Sequence, residues 1–144
     1  MKHYEEVGLP GAVGSVDVVH VHWANCPAGD FNRSKGKESY PWLAFQCITD
    51  IDYKILGVFS PQFGCQNDKH IVKLDPNVHE IANGWYSEIE WQYYAEDGEV
   101  GVSTGVYLIC DNGYICWPTT ICPYMRSESH GTNLRIYSQL ILRV

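Results

Sequence analysis

Two aspartates in this chain combine a reactive residue type with an unusual setting. Asp17 lies inside the Val-rich segment VGSVDVVHVHW, and Asp111 directly follows the apolar run VYLIC. Burying a carboxylate among apolar neighbours is costly unless a cation or hydrogen-bond donors compensate it. At the ends of adjacent strands the two acids would bind divalent metal, because Mg²⁺ prefers a few carboxylate oxygens plus retained waters. The alternative is that each acid is a structural hydrogen-bond acceptor beside a turn.

A divalent-metal site of this kind would suit phosphodiester chemistry. Two ions about 4 Å apart can activate a water and stabilise the leaving oxygen. Two other catalytic classes lack their signatures here. Ser15 has no G-x-S-x-G context of a serine hydrolase, and the glycines of GLPGAVGS lack the Lys and the spacing of a phosphate-binding loop.

His20 and His22 form a second candidate set. Two residues apart on a predicted strand, they point to one face, as many Zn²⁺ ligands do. In a regular strand Asp17 points to the opposite face, so a joint Asp–His site would need a bulge. The alternative is that both histidines are packed or exposed and have no direct role.

The six cysteines are predicted to be free thiols, most of them buried. They are Cys26, Cys47, Cys65, Cys110, Cys116 and Cys122. An even set indicates disulfides mainly when a secretory signal accompanies it, and no window here has the apolar length of such a signal. No C-x-x-C pair occurs, and the C-x5-C-x5-C run from Cys110 to Cys122 matches no common zinc spacing.

Length and charge limit the classes of function. A chain of 144 residues with 45% hydrophobic content is long enough for one domain with a core. Its formal charge of -7 repels polyanions unless metals or another domain intervene, which argues against a stand-alone nucleic-acid binder. No window reaches the length of a membrane span, so we expect a soluble, intracellular protein without a membrane partner.

The segment that contains Asp17 has the composition of a strand buried on both faces. The polar stretch NCPAGDFNRSKGKESYP is predicted to be a loop, and WLAFQCITD and YKILGVFS are predicted to be the next two strands. Short connections between three strands favour an antiparallel meander. The first part of the chain is therefore predicted to be an antiparallel sheet.

A helix is predicted to begin at Asp68, which can cap it, and Pro76 either interrupts that helix or starts a new turn. The segments EIEWQYY and EVGVSTGVYLIC, joined by AEDG, are typical of a long hairpin whose return strand ends at Asp111. The final LRIYSQLILRV is apolar enough for a strand or a helix. The pattern β-β-β-α-β predicts an α/β sheet led by antiparallel strands.

Four blocks of this sequence resemble DDE superfamily endonucleases of the Harbinger class of transposases, in the same order. They are PGAVGSVDVVHVHWANCP, GKESYPWLAFQCITD, FGCQNDKHIVKLD and GVYLICDNGYICWPTTICPY, which together cover roughly Leu9 to Met125. The resemblance implies a ribonuclease H-like mixed sheet and a metal-dependent core that cleaves DNA. The core would span residues 9–144 as an incomplete domain, without an upstream DNA-binding region.

The resemblance also assigns roles to individual acids. It places the first catalytic acid at Asp17 and the second at Asp111, in the D-x-G-Y block. Asp68, in the N-D block, is either a helix cap or a ligand of the metals, directly or through a neighbour. The implied cofactor is Mg²⁺ or Mn²⁺.

The sequence departs from the family at its third acid. That acid, a Glu, lies farther beyond the D-x-G-Y Asp than Val144, and Glu128 comes too early to replace it. The catalytic Glu is therefore expected to be missing, and the chain is expected to be a truncated transposase. By resemblance the intact relative acts on DNA in the nucleus, with an accessory protein as one source of DNA binding.

Two alternatives remain open at this stage. One is a non-catalytic remnant that keeps the fold and the metal site and serves as an interaction module. The other is a zinc-containing structural domain built from His20, His22 and some of the cysteines.

Overall fold

The structure, a computed structural model, describes residues 1–36, 39–95, 97–114 and 117–122. The strands are β1 Ala12–His22, β2 Trp42–Thr49, β3 Ile55–Val58, β4 Gln62–Phe63, β5 Glu90–Tyr94, β6 Val100–Thr104, β7 Tyr107–Ile109 and β8 Thr120–Ile121. The helices are α1 Lys2–Glu6, α2 Phe31–Ser34, α3 Asp68–Ile71 and α4 Pro76–Ala82, with 3₁₀ turns at Val72–Leu74 and Asn112–Tyr114. Glu128 and the predicted element LRIYSQLILRV lie outside the described residues. Within those ranges, no helix is long and apolar enough to cross a membrane.

The main sheet has the order β3-β2-β1-β7-β8, and the short strand β4 also pairs with β2. Strand β2 runs antiparallel to both β1 and β3, which confirms the predicted meander. Strand β7 then runs parallel to β1, and β8 runs parallel to β7. The fold is therefore α/β, with a mixed sheet of ribonuclease H-like type led by antiparallel strands.

The two faces of this sheet carry separate cores. One core packs the turn after α3 and helix α4 against the sheet, with buried residues Val16, Ile48, Val72, Val78, Leu108, Cys110 and Tyr114. The other packs α1 and the β5–β6 hairpin against the opposite face, with buried residues Tyr4, Ala12, Trp91 and Tyr107. The sheet is thus a middle layer, with α4 packed on one face and α1 and the β5–β6 hairpin packed on the other. Both packed regions lie toward the beginning of β1.

Strand β1 is buried in its first half only, so the prediction that it is buried on both faces is wrong for its second half. Ala12 and Val16 are buried, whereas Val19 and Val21 are each 49% exposed. The parallel pairing with β7 ends at Ser15, and beyond this residue β2 is the partner recorded for β1. The Val-rich composition is the same in both halves, so the neighbouring elements decide the burial.

The helix predicted at Asp68 exists, but its cap is the preceding residue. The Asn67 side chain accepts the Lys69 N–H at 2.9 Å, and Asp68 is the first helical residue. Pro76 is the first residue of a second helix, where the sequence indicated either an interruption of the first helix or a new turn. Asp75 caps that helix by accepting the Asn77 N–H at 2.9 Å.

The predicted long hairpin is wrong in its return strand. Strand β6 pairs with β5 and ends at Thr104, after which Gly105 takes a positive φ of 83° that favours glycine. Strand β7 then enters the main sheet beside β1. The predicted loop after β1 also contains a short helix, α2.

Candidate metal centre

Asp17 and Asp111 lie on neighbouring parallel strands, at the point where the strands part. Ser15 is paired with Ile109, and extending this register by two residues brings Asp17 level with Asp111. Asp111 follows the end of β7, as the sequence indicates, whereas Asp17 lies in the middle of β1. The fold therefore brings the two predicted acids to one edge.

Asp17 is exposed at this edge, so its expected burial among apolar neighbours is wrong, whereas Asp111 is exposed as its position after a strand end indicates. The carboxylate of Asp17 accepts the Val18 N–H at 2.8 Å. Val18 is paired with Gln46 of β2, and the Gln46 carbonyl accepts the Phe59 N–H on the side of β2 away from β1. Val18 and Gln46 are therefore a pair without mutual hydrogen bonds, and the Val18 N–H points away from β2. The hydrogen bond holds the Asp17 carboxylate at the edge of β1 that β7 leaves uncovered.

Asp68 and Asp111 flank a single backbone position, Gly113. Oδ1 of Asp111 accepts the Gly113 N–H at 2.8 Å. A Cβ atom at Gly113 would lie 2.8 Å from this Oδ1 and 3.5 Å from Oδ2 of Asp68. Glycine here leaves room for both carboxylates, and a side chain would have to displace the nearer one.

Tyr114 connects all three acids electrostatically. Its side chain is 1% exposed, and its hydroxyl has no hydrogen-bond partner among the described residues. Burial first, and then the negative charges of Asp68, Asp17 and Asp111, raise the pKa of this phenol far above its ordinary value. Tyr114 is therefore a neutral hydroxyl inside a region of negative potential.

These residues fit a hard divalent cation in their chemistry, although they do not form a complete ligand set. Carboxylate oxygens are the donors that Mg²⁺ and Mn²⁺ prefer. In the described part of the chain, no group of three His, Cys, Asp or Glu side chains is arranged to hold a metal ion. One reason for the incomplete set is that successive side chains of β1 point to opposite faces of the sheet. Val16 faces α4, so Asp17 points to the other face.

A comparison with protein families identifies the chain's relatives. A family model described as plant transposon protein matches residues 1–140. The chain belongs to this family. It is therefore a transposase-related protein. No curated protein sequence and no solved structure matches it.

In this member of the plant transposon protein family the histidines lie apart from the acids. The β1–β2 register runs without a shift from Ser15 to His22, so this ladder has no bulge that could bring Asp17 to their face. Both histidines are exposed, and the His22 ring contacts the rings of Tyr40 and Trp42 edge-on. The geometry supports a packing role for His22 and gives no support to a joint Asp–His site.

The cysteines of the described residues are free thiols, as predicted, but only Cys110 is fully buried. Its Sγ lies 3.3 Å from Sγ of Cys122. Burial, followed by the hydrogen bond with Cys122, raises the pKa of the Cys110 thiol to about 12. Cys116 lies outside the described residues. A zinc domain gains no support, because the described thiols and histidines form no group of three ligands.

Gly113 and Tyr114 are the site residues that reasoning about acids alone leaves out. A signal was available, because an Asp that accepts the N–H two residues later forms an Asx turn, and Asp-Asn-Gly is typical of such turns. The burial of Tyr114 under α4 could not be predicted locally. It depends on a core that also contains Val72 and Val78, which are far away in sequence.

Proposed function

We propose that this chain is the core of a Harbinger-type DDE transposase, whose chemistry is metal-dependent cleavage of DNA phosphodiesters. Asp17 and Asp111 are its metal-binding carboxylates, and Asp68 is a third metal ligand or supports one. The observation that carries the proposal is their convergence. Asp68 and Asp111 flank Gly113, and the β1–β7 register brings Asp17 level with Asp111. The charges of all three also raise the pKa of the buried Tyr114 hydroxyl. Membership of a transposon family supports DNA as the substrate.

Each residue has a distinct role in this proposal. Asp17 and Asp111 would hold Mg²⁺ or Mn²⁺, which would supply Lewis-acid polarisation of the phosphate and activation of the attacking water or 3′-hydroxyl. Asp111 is oriented by its hydrogen bond to Gly113, and Asp17 by its hydrogen bond to Val18. Tyr114 offers a neutral O–H donor at a place where an ionised phenolate would repel the carboxylates.

The net charge of the chain bears on how it would bind DNA. A net charge of -7 disfavours tight DNA binding by this chain alone, so a separate DNA-binding protein or region delivers the DNA. The parent protein would act in the nucleus, where its substrate lies. For the polypeptide of residues 1–144 we predict metal binding with little or no turnover, because the described residues bring no glutamate to the three aspartates.

A non-catalytic interaction module is the second candidate. The observation that favours it is the lack of three properly arranged metal ligands in the described residues. Such a module would retain the fold and a weak metal site, and would act through binding instead of cleavage.

Calorimetric titration with Mn²⁺ alone tests the metal site. We compare the wild type with Asp17→Asn, Asp111→Asn and a control, Asp97→Asn, in the β5–β6 turn. Each of the first two variants should weaken binding by about tenfold or more, since groups that merely orient a ligand already contribute that much. The control should bind like the wild type. Absent binding in the wild type, or equal binding in all variants, would refute the metal site.

Nicking of supercoiled DNA in Mn²⁺ separates the two candidate functions. We expect residues 1–144 to give no more nicking than the Asp17→Asn variant. Nicking by the wild type that disappears in Asp17→Asn would contradict our prediction of low turnover and eliminate the non-catalytic module.

A further inference from the structure

Cys110 and Cys122 lie opposite each other at the ends of the neighbouring parallel strands β7 and β8. Ile109 is paired with Ile121, and the Cys110 N–H donates to the Ile121 carbonyl at 2.9 Å. The next residue of each strand is a cysteine, and their Sγ atoms are 3.3 Å apart. Both thiols are reduced in the structure.

We propose that Cys110 and Cys122 form a reversible disulfide, a modification site that is independent of metal binding. Adjacent strands are about 4.8 Å apart, which falls within the Cα separations of about 4.4 to 6.8 Å that disulfides span. The sulfurs need to approach from 3.3 Å to about 2.05 Å. Because the strand spacing already lies in this range, we expect rotation of the two side chains to close the gap.

The other described cysteines are less suited to this reaction. The Cys47 thiol contacts the carbonyl of Phe45, and the Cys26 thiol contacts Pro27 and Ser34. Within the described part of the chain, neither thiol is hydrogen-bonded to another thiol. Cys65 is exposed and can react with a small disulfide. Among the described residues, no second thiol lies within hydrogen-bond distance of Cys65 to resolve the product.

The reaction requires a small disulfide as the oxidant, such as oxidised glutathione. The partly exposed Cys122 reacts first as a thiolate, breaks the glutathione S–S bond and releases one glutathione thiol. Cys110 then loses its proton, attacks the Cys122 sulfur and releases the second glutathione. The two protein thiols lose two electrons and two protons in total, and the oxidised glutathione takes them up.

The disulfide would close residues 111–121 into a loop. This loop contains Asp111, Gly113 and Tyr114, and its first residue is bonded directly to Cys110. Oxidation would therefore tie together both ends of the segment that carries the candidate metal centre. Because the cross-link restricts the unfolded chain, it should also stabilise the fold.

The test treats the full 144-residue chain with oxidised glutathione, blocks the remaining thiols and maps disulfides by peptide mass. We expect a Cys110–Cys122 cross-link and a rise in Tm of about 5 °C or more, which dithiothreitol reverses. Cys65→Ser should retain both effects, and Cys122→Ser should lose both. The same mapping on Cys116→Ser removes the neighbouring cysteine as a competing partner.

Three outcomes would overturn the proposal. The first is that Cys110 and Cys122 remain alkylatable while Cys65 becomes glutathionylated. The second is a glutathione adduct on Cys122 that persists without resolution. The third is a cross-link that disappears in Cys116→Ser. The mapping uses wild-type protein, so its result does not depend on whether Cys122→Ser folds.

Discussion

The two halves of β1 have similar composition and different surroundings. Residues 12–16 contribute to the cores on both faces of the sheet, with β7 as the partner of residues 12–15 and β2 as the partner from Ser15 onward. Residues 17–22 pair with β2 and are mostly exposed. Asp17 is the first residue of the open half. The strand therefore changes from core to accessible edge at the acid that the sequence singles out.

This difference explains how the chain tolerates a carboxylate inside a Val-rich strand. Asp17 is placed by the rigid, buried half but remains in contact with solvent, so it avoids most of the cost of burial. In the proposed metal site, Asp17 would meet the cation beside Asp111. Rigid placement together with access is what a metal-binding side chain requires.

The largest loss of stability that we expect comes from Asp75, which connects strand β2 to helix α4. Asp75 is fully buried, accepts the Gln46 amide at 2.5 Å and caps α4 through Asn77. Asp75→Ala removes the cap and leaves the buried Gln46 amide without its partner. We expect the free energy of unfolding to fall by about 3 kcal/mol.

The exposed cap of α3 is the matched control for this change. Asn67→Ala removes one hydrogen bond at the protein surface and should lower the free energy of unfolding by only about 1 kcal/mol. Urea denaturation of both variants measures the difference. Equal losses of free energy of unfolding would mean that the buried hydrogen bond between Asp75 and Gln46 contributes no extra stability.

Local patterns were sufficient for the elements that depend on local chemistry. The composition of β1, β2 and β3 predicted the meander, and the strand end after VYLIC predicted that Asp111 would lie at the edge of the sheet. The resemblance in the N-D and D-x-G-Y blocks singled out Asp68 and Asp111, which flank Gly113.

The features that could not be predicted depend on residues far apart in the chain. The exposure of Asp17 follows from where β7 stops pairing, which the sequence of β1 does not encode. The turn of the chain at Gly105, from the hairpin into the main sheet, was hidden because the segments on both sides, VGVST and VYLIC, have strand composition. By contrast, Asp75 followed by Pro76 is a local signal for the start of a helix and could have been recognised.

A smaller loss of stability is expected from a pair of substitutions that compares the two halves of β1. Val16→Ala creates a cavity in the core under α4, and we expect it to lower the free energy of unfolding by about 2 kcal/mol. Val19→Ala removes the same atoms from a half-exposed position and should cost less than about 0.5 kcal/mol. Thermal and urea unfolding would report the difference. Similar costs would indicate that another part of the protein covers the second half of β1.

The smallest effect concerns the hydroxyl of Tyr114. A buried polar group without a partner carries a desolvation cost, so Tyr114→Phe should leave the free energy of unfolding unchanged or raise it by up to about 1 kcal/mol. Tyr53→Phe, at a side chain that is 91% exposed, is the control and should change nothing. A loss of more than about 1 kcal/mol in Tyr114→Phe would show that the hydroxyl donates a hydrogen bond in solution. The nearby carboxylates would then be its most direct acceptors, and Asp68 and Asp111 would be bound by the protein itself before any cation arrives.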